Sequence, residues 1–437
     1  MIKNPKYKII TYGCQMNKSD SERIEGLLES IGFSGAKDVK DADLILVNTC
    51  SVRQTAEDRV YGMMRDYARL KNKKPHLLIG ITGCMAGRDK DGVIKKRITT
   101  TLNKYGLEGI DLFFGIADLP NIPEEISRLW KDKRFIQAHK KTDYLGITPN
   151  PVEWWRGWVV IQTGCSNYCT YCVVPHARGH EVNRPVTEIL KEVKKMVASG
   201  AKEIILLGQA VNSHPDFAKI LQEINKIDGV NRISFASAHP MNMTVGVIKA
   251  LALSKMVNYL HLPVQSGNNK ILQKMNRKYT RLNYLKVIER IRKVRPDIAL
   301  ATDIIVGFPG ETKTQFKDTI SLYKKCDFDM SYNARYSTRT GTVAHRIYVD
   351  DISREEKKRR WEELQKIMER NVARKNKKYL NKVVEVLVDG CKNKKCYGLS
   401  REYKRVVFPG DPSMIGDIYR VKVKKAKEWE LDGLVVA

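Results

Sequence analysis

The 437-residue sequence predicts an α/β protein in three parts: a parallel-sheet α/β domain, a central partial (β/α) barrel and a small antiparallel β-barrel. Three observations predict it. Short apolar runs alternate with helix-length stretches through most of the chain. A polar, proline-broken segment interrupts them between Asp132 and Glu153. After Tyr379 the apolar period changes to two, with glycines separating the runs.

Lys8–Tyr12, Asp43–Asn48, His76–Thr82 and Asp111–Gly115 read as strands, with helices across Ser19–Ser30 and about Thr55–Arg69. Strands separated by helices form parallel sheets covered on both faces. The segment broken by Pro149 and Pro151 has no regular period and is expected to be a linker. A second series of strands runs through Trp158–Gln162, Glu203–Leu207, Arg232–Ala236, Tyr259–Leu262, Ala299–Val306 and Met330–Tyr336, with helices between most of them. Trp361, Leu364, Met368 and Val372 mark one face of a charged helix. Val383–Val388, Arg405–Phe408 and Ile418–Val423 alternate as strands, punctuated by Gly398, Gly410, Gly416 and Gly433. The expected boundaries are 1–130, a linker over 131–153, 154–374 and 375–437.

Lys and Arg number 78 against 49 Asp and Glu, a formal charge of +29. Clustered cations release counterions from phosphates, so the economical partner is RNA. From Arg374 to Ala437 there are 16 Lys and Arg against 8 Asp and Glu. A small basic β-barrel is a common nucleic-acid-binding module. Runs such as Leu44–Val47 and Ile204–Leu207 have strand length, far from the ~20 residues that cross a bilayer. Met1–Lys6 lacks the apolar core of a secretion signal. A cytoplasmic protein with no membrane partner is expected.

The cysteines carry the most information. Cys165, Cys169 and Cys172 lie C-x3-C-x2-C on a loop after the first barrel strand, at the face where barrel enzymes work. Structural zinc wants four ligands, for which His176 is a candidate fourth. A four-iron cube on three thiolates leaves one iron open to a small molecule. Cys14, Cys50 and Cys84 each follow a strand of the first domain, at the edge of a parallel sheet where ligands sit. Three thiols there can hold a second cluster. Cys326, Cys391 and Cys396 are expected to be unpaired thiols.

These motifs resemble the radical S-adenosylmethionine methylthiotransferase family over nearly the whole chain. The resemblance rests on Tyr12–Asn17, Asn48–Arg53, Cys172–Pro175, Leu260–Gly267 and Thr302–Glu311, in that order. It implies a radical core of the S-adenosylmethionine type and an RNA-binding barrel of the TRAM type. It also implies a [4Fe-4S] cluster on Cys165, Cys169 and Cys172 that chelates S-adenosylmethionine. Cys14, Cys50 and Cys84 are implied to hold an auxiliary [4Fe-4S] cluster carrying the sulfur to be inserted. Gly208–Asn212 and Ser237–Pro240 each differ by one residue from the family pattern. Tyr336–Thr342 lacks an Arg or a Pro usual there.

The implied reaction replaces the C2 hydrogen of N6-isopentenyladenosine, beside the anticodon of tRNA, by methylthio. That C–H bond has no acidity for a base to exploit, so a radical is needed and water must be excluded. Two S-adenosylmethionine molecules are consumed, one for the radical and one for the methyl group. Gln265 and Ser266 are expected at the cofactor ribose, Arg277 at its carboxylate, and Ile305 and Gly307 at its adenine. Further partners implied are an electron donor such as flavodoxin or ferredoxin and a sulfur source; a monomer is expected. Two alternatives stay open: methylthiolation of threonylcarbamoyl-adenosine or a ribosomal-protein aspartate, and a non-catalytic zinc-containing RNA-binding protein.

Overall fold

The computed structural model describes residues 2–50, 54–107, 109–138 and 142–436, in two compact units. The first comprises the chain to Val152 with Thr163–Ser166 and Cys172–Arg184; the second comprises Glu153–Gln162, Asn167–Tyr171 and the chain from Pro185.

The first unit contains β1 (Lys6–Tyr12), α1 (Gln15–Ser30), β2 (Ser34–Gly35), β3 (Leu44–Thr49), α2 (Gln54–Lys73), β4 (Leu78–Gly83), α3 (Cys84–Gly87), α4 (Val93–Asn103), β5 (Leu112–Phe113), α5 (Ile122–Trp130) and α6 (Arg134–Ala138). Its sheet is parallel throughout, in the order β2-β1-β3-β4-β5. Every residue of β3 and β4 is buried, as expected of strands covered on both faces. Leu44, Leu46 and Leu78 pack with Ile24, Leu27 and Leu28 of α1, while Ile45, Val47, Ile79 and Ile81 pack with Val60 and Met64 of α2. The period of two along each strand thus sorts the side chains between two cores.

The segment expected to be a linker is instead part of this unit. Phe135, Tyr144 and Ile147 are buried in the α1-side core, and Asn150 N donates to Glu22 O at 2.8 Å. An irregular wrap anchored by single side chains carries no period, which is why the sequence disguises it.

The second unit opens with β6 (Arg156–Val160). β7 (Gln162–Thr163), α7 (Val174–Arg178) and β8 (Val182–Asn183) flank the cysteine loop, α7 and β8 being part of the first unit. There follow α8 (Val186–Ala198), β9 (Glu203–Leu207), α9 (Phe217–Lys226), β10 (Arg232–Phe235), α10 (Val245–Ala250), β11 (Tyr259–His261), α11 (Asn269–Lys274), α12 (Arg281–Val294), β12 (Ala299–Val306), α13 (Lys313–Cys326), β13 (Met330–Arg335), α14 (Val343–Ile347) and α15 (Arg354–Lys377). Two parallel sheets, β10-β9-β6 and β11-β12-β13, make the partial barrel. Ile233 N donates to Lys255 O at 2.8 Å and Val257 N to Ile233 O at 3.0 Å, joining β10 to the segment before β11. Leu364, Met368 and Val372 of α15 enter the same core as Leu206, Leu260 and Leu300.

The C-terminal module is a closed five-stranded barrel: β14 (Val383–Lys392), β15 (Lys395–Ser400), β16 (Arg405–Pro409), β17 (Ile418–Ala426) and β18 (Leu431–Val435), ordered β14-β15-β16-β18-β17. All pairs are antiparallel except β16–β18, which is parallel. β15 escapes an apolar reading because its buried positions are Cys396, Gly398 and Ser400. Asn393 (φ 52°) and Lys394 (φ 57°) form the two-residue turn that sets Cys391 opposite Cys396. These two cysteines, expected to be unpaired, form a disulfide with Cα atoms 4.0 Å apart.

Buried cations bind this module to the partial barrel. Arg232 is 1% exposed; it donates to Glu385 Oε1 at 3.0 Å, Glu385 O at 2.8 Å and Leu399 O at 2.8 Å. Arg156 joins Glu203 at 2.8 Å to Asp389 at 2.7 Å, and Tyr403 Oη bonds Ser234 Oγ at 2.8 Å.

Candidate active site

The segments flagged by motif share one rim. Gly208–Asn212, Ser237–Pro240, Pro263–Gly267, Gly307–Glu311 and Tyr336–Thr342 each follow the C-terminal end of a parallel barrel strand. Asn167–Tyr171 of the cysteine loop is anchored beside them. Thr170 donates through N to Met275 O at 3.1 Å and through Oγ1 to Lys274 O at 2.9 Å, while Asn276 Nδ2 reaches Tyr168 O at 2.9 Å. Tyr171 packs against Ile271, Met275 and Phe308, whereas Tyr168 is exposed.

Arg277 is buried and aims at the loop. Its Nη1 lies 3.4 Å from Cys169 Sγ, its Nη2 3.1 Å from Pro263 O and its Nε 3.0 Å from Tyr279 Oη. The guanidinium expected at a cofactor carboxylate is therefore directed at a cysteine. Ser266 is likewise engaged: fully buried, its Oγ accepts from Asn268 N at 3.3 Å and lies 3.5 Å from Thr319 Oγ1. Gln265 adopts φ 67°, a strained conformation for a residue with a side chain. Gly307 has φ 70° and donates its N–H to Glu311 at 2.7 Å; a Cβ there would lie 2.4 Å from Lys357 Cγ. The turn and Lys357 thus account for the glycine. Ile305 is half-buried on β12.

Two further motif segments lock reciprocally: His239 N donates to Asn212 Oδ1 at 2.7 Å and Asn212 Nδ2 to His239 O at 3.0 Å. Burial, reinforced by the Arg277 charge, pushes the His239 imidazole down to about 3, so it is neutral at physiological pH.

Cys165 and Cys172 belong to the first unit. Cys165 N donates to Gly179 O at 3.1 Å, and Gly164 (φ 73°) is required because a Cβ would lie 1.9 Å from His180 O. Val174 N donates to Cys172 Sγ at 3.5 Å. His176 is exposed on α7.

The second cysteine set sits at one edge of the first sheet. Tyr12 pairs with Thr49 and Thr49 with Gly83, so Cys14, Cys50 and Cys84 leave three adjacent parallel strands at one level, ladders about 4.8 Å apart. Asn17 and Asn48, both buried, stitch the turns together: Asn17 Nδ2 donates to Asn48 Oδ1 at 3.0 Å, and Asn48 Nδ2 to Asn17 O at 2.8 Å. Cys14 caps α1 and donates to Asn17 Oδ1 at 3.5 Å. Cys84 opens α3 and accepts from Arg178 Nε at 3.3 Å. Ser51–Arg53, from the motif around Cys50, lie outside the described residues.

None of the six motif cysteines is in a disulfide. Among the described residues, no three His, Cys, Asp or Glu gather closely enough to ligate one metal ion. N–H donors aimed at Cys84, Cys169 and Cys172 fit thiolates bearing cluster charge.

Residues 159–323 match the Radical SAM superfamily, residues 6–102 the Uncharacterized protein family UPF0004 and residues 377–436 the TRAM domain. Over 445 residues the chain is 41% identical to the tRNA-2-methylthio-N(6)-dimethylallyladenosine synthase of Carboxydothermus hydrogenoformans, covering 98% of this chain and 99% of the relative. The chain belongs to this synthase family. A second synthase, from Alkaliphilus oremlandii, is 41% identical over 99% of this chain and 93% of its own. The solved radical S-adenosylmethionine methyltransferase TsrM from Kitasatospora setae shares the fold: TM-score 0.54 and 14% identity over 75% of this chain and 72% of that one. Membership of the radical SAM superfamily brings with it a [4Fe-4S] cluster and S-adenosylmethionine. Among the described residues, no helix is long and apolar enough to cross a membrane.

Motif spacing alone missed Arg178, Asp20 and Tyr144 around the second cysteine set. Arg178 had one signal, its place six residues after Cys172.

Proposed function

We propose that this chain is a tRNA methylthiotransferase that converts N6-isopentenyladenosine beside the anticodon into its 2-methylthio derivative, consuming two S-adenosylmethionine per turnover. The observation that carries the reading is the Cys169 loop anchored at the C-terminal rim with Arg277 donating to its thiol. The names of the full-length relatives support the substrate.

Cys165, Cys169 and Cys172 hold the radical cluster; Cys14, Cys50 and Cys84 hold the auxiliary one. Bound there, the clusters and S-adenosylmethionine supply the electron, the radical that removes the C2 hydrogen, the sulfur and the methyl group. The residues of the chain do the positioning. Arg277 fixes the Cys169 loop, Gln265, Ile305 and the backbone of Gly307 line the cofactor, and Ser266 braces the turn that presents Gln265. The Asn212–His239 pair joins two rim segments with no charge change near neutral pH. The C-terminal module, over about 375–437, presents cations to tRNA phosphates. An external reductant and a sulfur source complete the cycle, in the cytoplasm and with the chain as a monomer.

Mass spectrometry of nucleosides from tRNA incubated with the reconstituted protein tests this. Appearance of 2-methylthio-N6-isopentenyladenosine is expected. A methylthio product only on threonylcarbamoyl-adenosine would overturn the substrate, and no methylthio nucleoside would overturn the activity.

A further inference from the structure

Arg178 is a buried cation that the proposed reaction does not yet use. It ends α7, whose first residue, Val174, donates N–H to Cys172 Sγ at 3.5 Å. Four residues on, about 6 Å of helix rise, Arg178 Nε donates to Cys84 Sγ at 3.3 Å. One short helix therefore touches a thiol of each cysteine set.

The guanidinium is over-determined. Its Nη1 and Nη2 bond the two oxygens of Asp20 at 3.3 and 2.5 Å, with side-chain exposures of 2% and 0%. Tyr144 Oη donates to Asp20 Oδ1 at 2.5 Å. The backbone approaches closely: a Cβ at Gly87 of α3 would lie 2.3 Å from Ala177 O. A pair removed this far from water costs more in desolvation than an aliphatic filler would. The Arg178 Nε–H is aimed at sulfur.

We propose that Arg178, oriented by Asp20 and Tyr144, is a positioning residue for the auxiliary cluster, holding the Cys84 thiolate and raising the cluster's reduction potential. Hydrogen bonds to sulfur and nearby positive charge favour the reduced, more negative state of an iron–sulfur centre. The proposal rests on the reading that Cys14, Cys50 and Cys84 bind a cluster.

The test uses the full chain with Cys165→Ala, Cys169→Ala and Cys172→Ala, so that only the auxiliary site loads, reconstituted anaerobically with ferrous iron and sulfide. In this background Arg178→Met with Asp20→Asn removes both charges of the pair. Arg178→Lys, the second variant, keeps the Asp20 partner and loses the Nε donor. Iron content, the electron paramagnetic resonance spectrum and the midpoint potential are read, with thermal unfolding as the check on folding. The expected result is a reduced-to-oxidised ratio at fixed potential at least tenfold lower in either folded variant, a midpoint shift of about 59 mV to the negative for one electron, or loss of iron from a folded chain. Unchanged iron, spectrum and midpoint in Arg178→Lys would overturn the role of Arg178 alone. Absence of iron from the parent with Arg178 intact would overturn the auxiliary cluster and the proposal together.

Discussion

Arg277 Nη1 lies 3.4 Å from Cys169 Sγ, and the other nitrogens of the guanidinium are bound by Tyr279 Oη and Pro263 O. The cation is thereby held in one orientation toward the middle cysteine of the C-x3-C-x2-C loop. A hydrogen bond to a charged group is worth about 1.5–3 kcal/mol, roughly a ten- to hundredfold effect on a rate. Arg277→Met should slow release of 5′-deoxyadenosine from S-adenosylmethionine by that factor, with Arg277→Lys only partly rescuing it because a point charge cannot reproduce the three-way fork. Equal rates in all three proteins would show that the contact is idle.

The two cysteine sets predict separable defects. Cys169→Ala should abolish cofactor cleavage. Cys50→Ala, at the end of β3, should leave cleavage intact and stop methylthio formation on tRNA. Both products are measured in one reaction by liquid chromatography and mass spectrometry. Repeated turnover to the methylthio nucleoside by the Cys50 variant would remove that cysteine from the auxiliary site.

The architecture was legible because burial in a parallel sheet leaves dense apolar runs: the barrel strands β9 and β12 span the residues expected of them. The cysteine motifs were legible because they follow strand ends, and topology alone fixes what gathers at a rim. The rest was hidden for identifiable reasons. β15 turns Gly398 and Ser400 inward, so it has no apolar signature. Tyr144 and Ile147 anchor an irregular wrap that has no period. The bonds of Ser266 to Thr319 and of Arg277 to Cys169 join elements distant in sequence, which motif spacing does not show.

The C-terminal module predicts a salt-dependent association with tRNA. Its turn carries Lys392, Lys394 and Lys395, all exposed. Deleting the module is a poor test, since Arg232 and Arg156 would lose Glu385 and Asp389 while remaining in the partial barrel. Replacing the three lysines by Gln leaves those pairs intact. tRNA affinity should fall, and the slope of log affinity against log salt should flatten by about 0.7–0.9 for each phosphate that the variant no longer neutralises. An unchanged slope would place the RNA elsewhere on the chain.

Arg232 itself predicts a stability effect. A buried acceptor left without its donor costs about 1–3 kcal/mol, and Arg232 serves two backbone carbonyls beside a Glu385 side chain that is 34% exposed. Arg232→Ala would take a donor from Leu399 O and Glu385 O, while the Glu385 carboxylate keeps Arg401 Nε at 3.0 Å. Denaturant unfolding of the variant should show a loss near that range, and a loss below about 1 kcal/mol would mean that water replaces the guanidinium at little cost.

The neutral His239 predicts an acid-sensitive fold. Its ordinary value is 6.5 and burial brings it to about 3. Between those values the unfolded chain binds a proton at this position and the folded chain does not, so lowering the pH through that window favours unfolding. By pH 4 the penalty is on the order of 3 kcal/mol. Protonation would set an uncompensated charge beside Arg277 and the Asn212 backbone lock. His239→Gln has no such proton to bind, so its fall in Tm from pH 7 to pH 4 should be smaller than that of the natural chain, even where its Tm at pH 7 is lower. Parallel falls in the two proteins would locate the acid sensitivity in other groups.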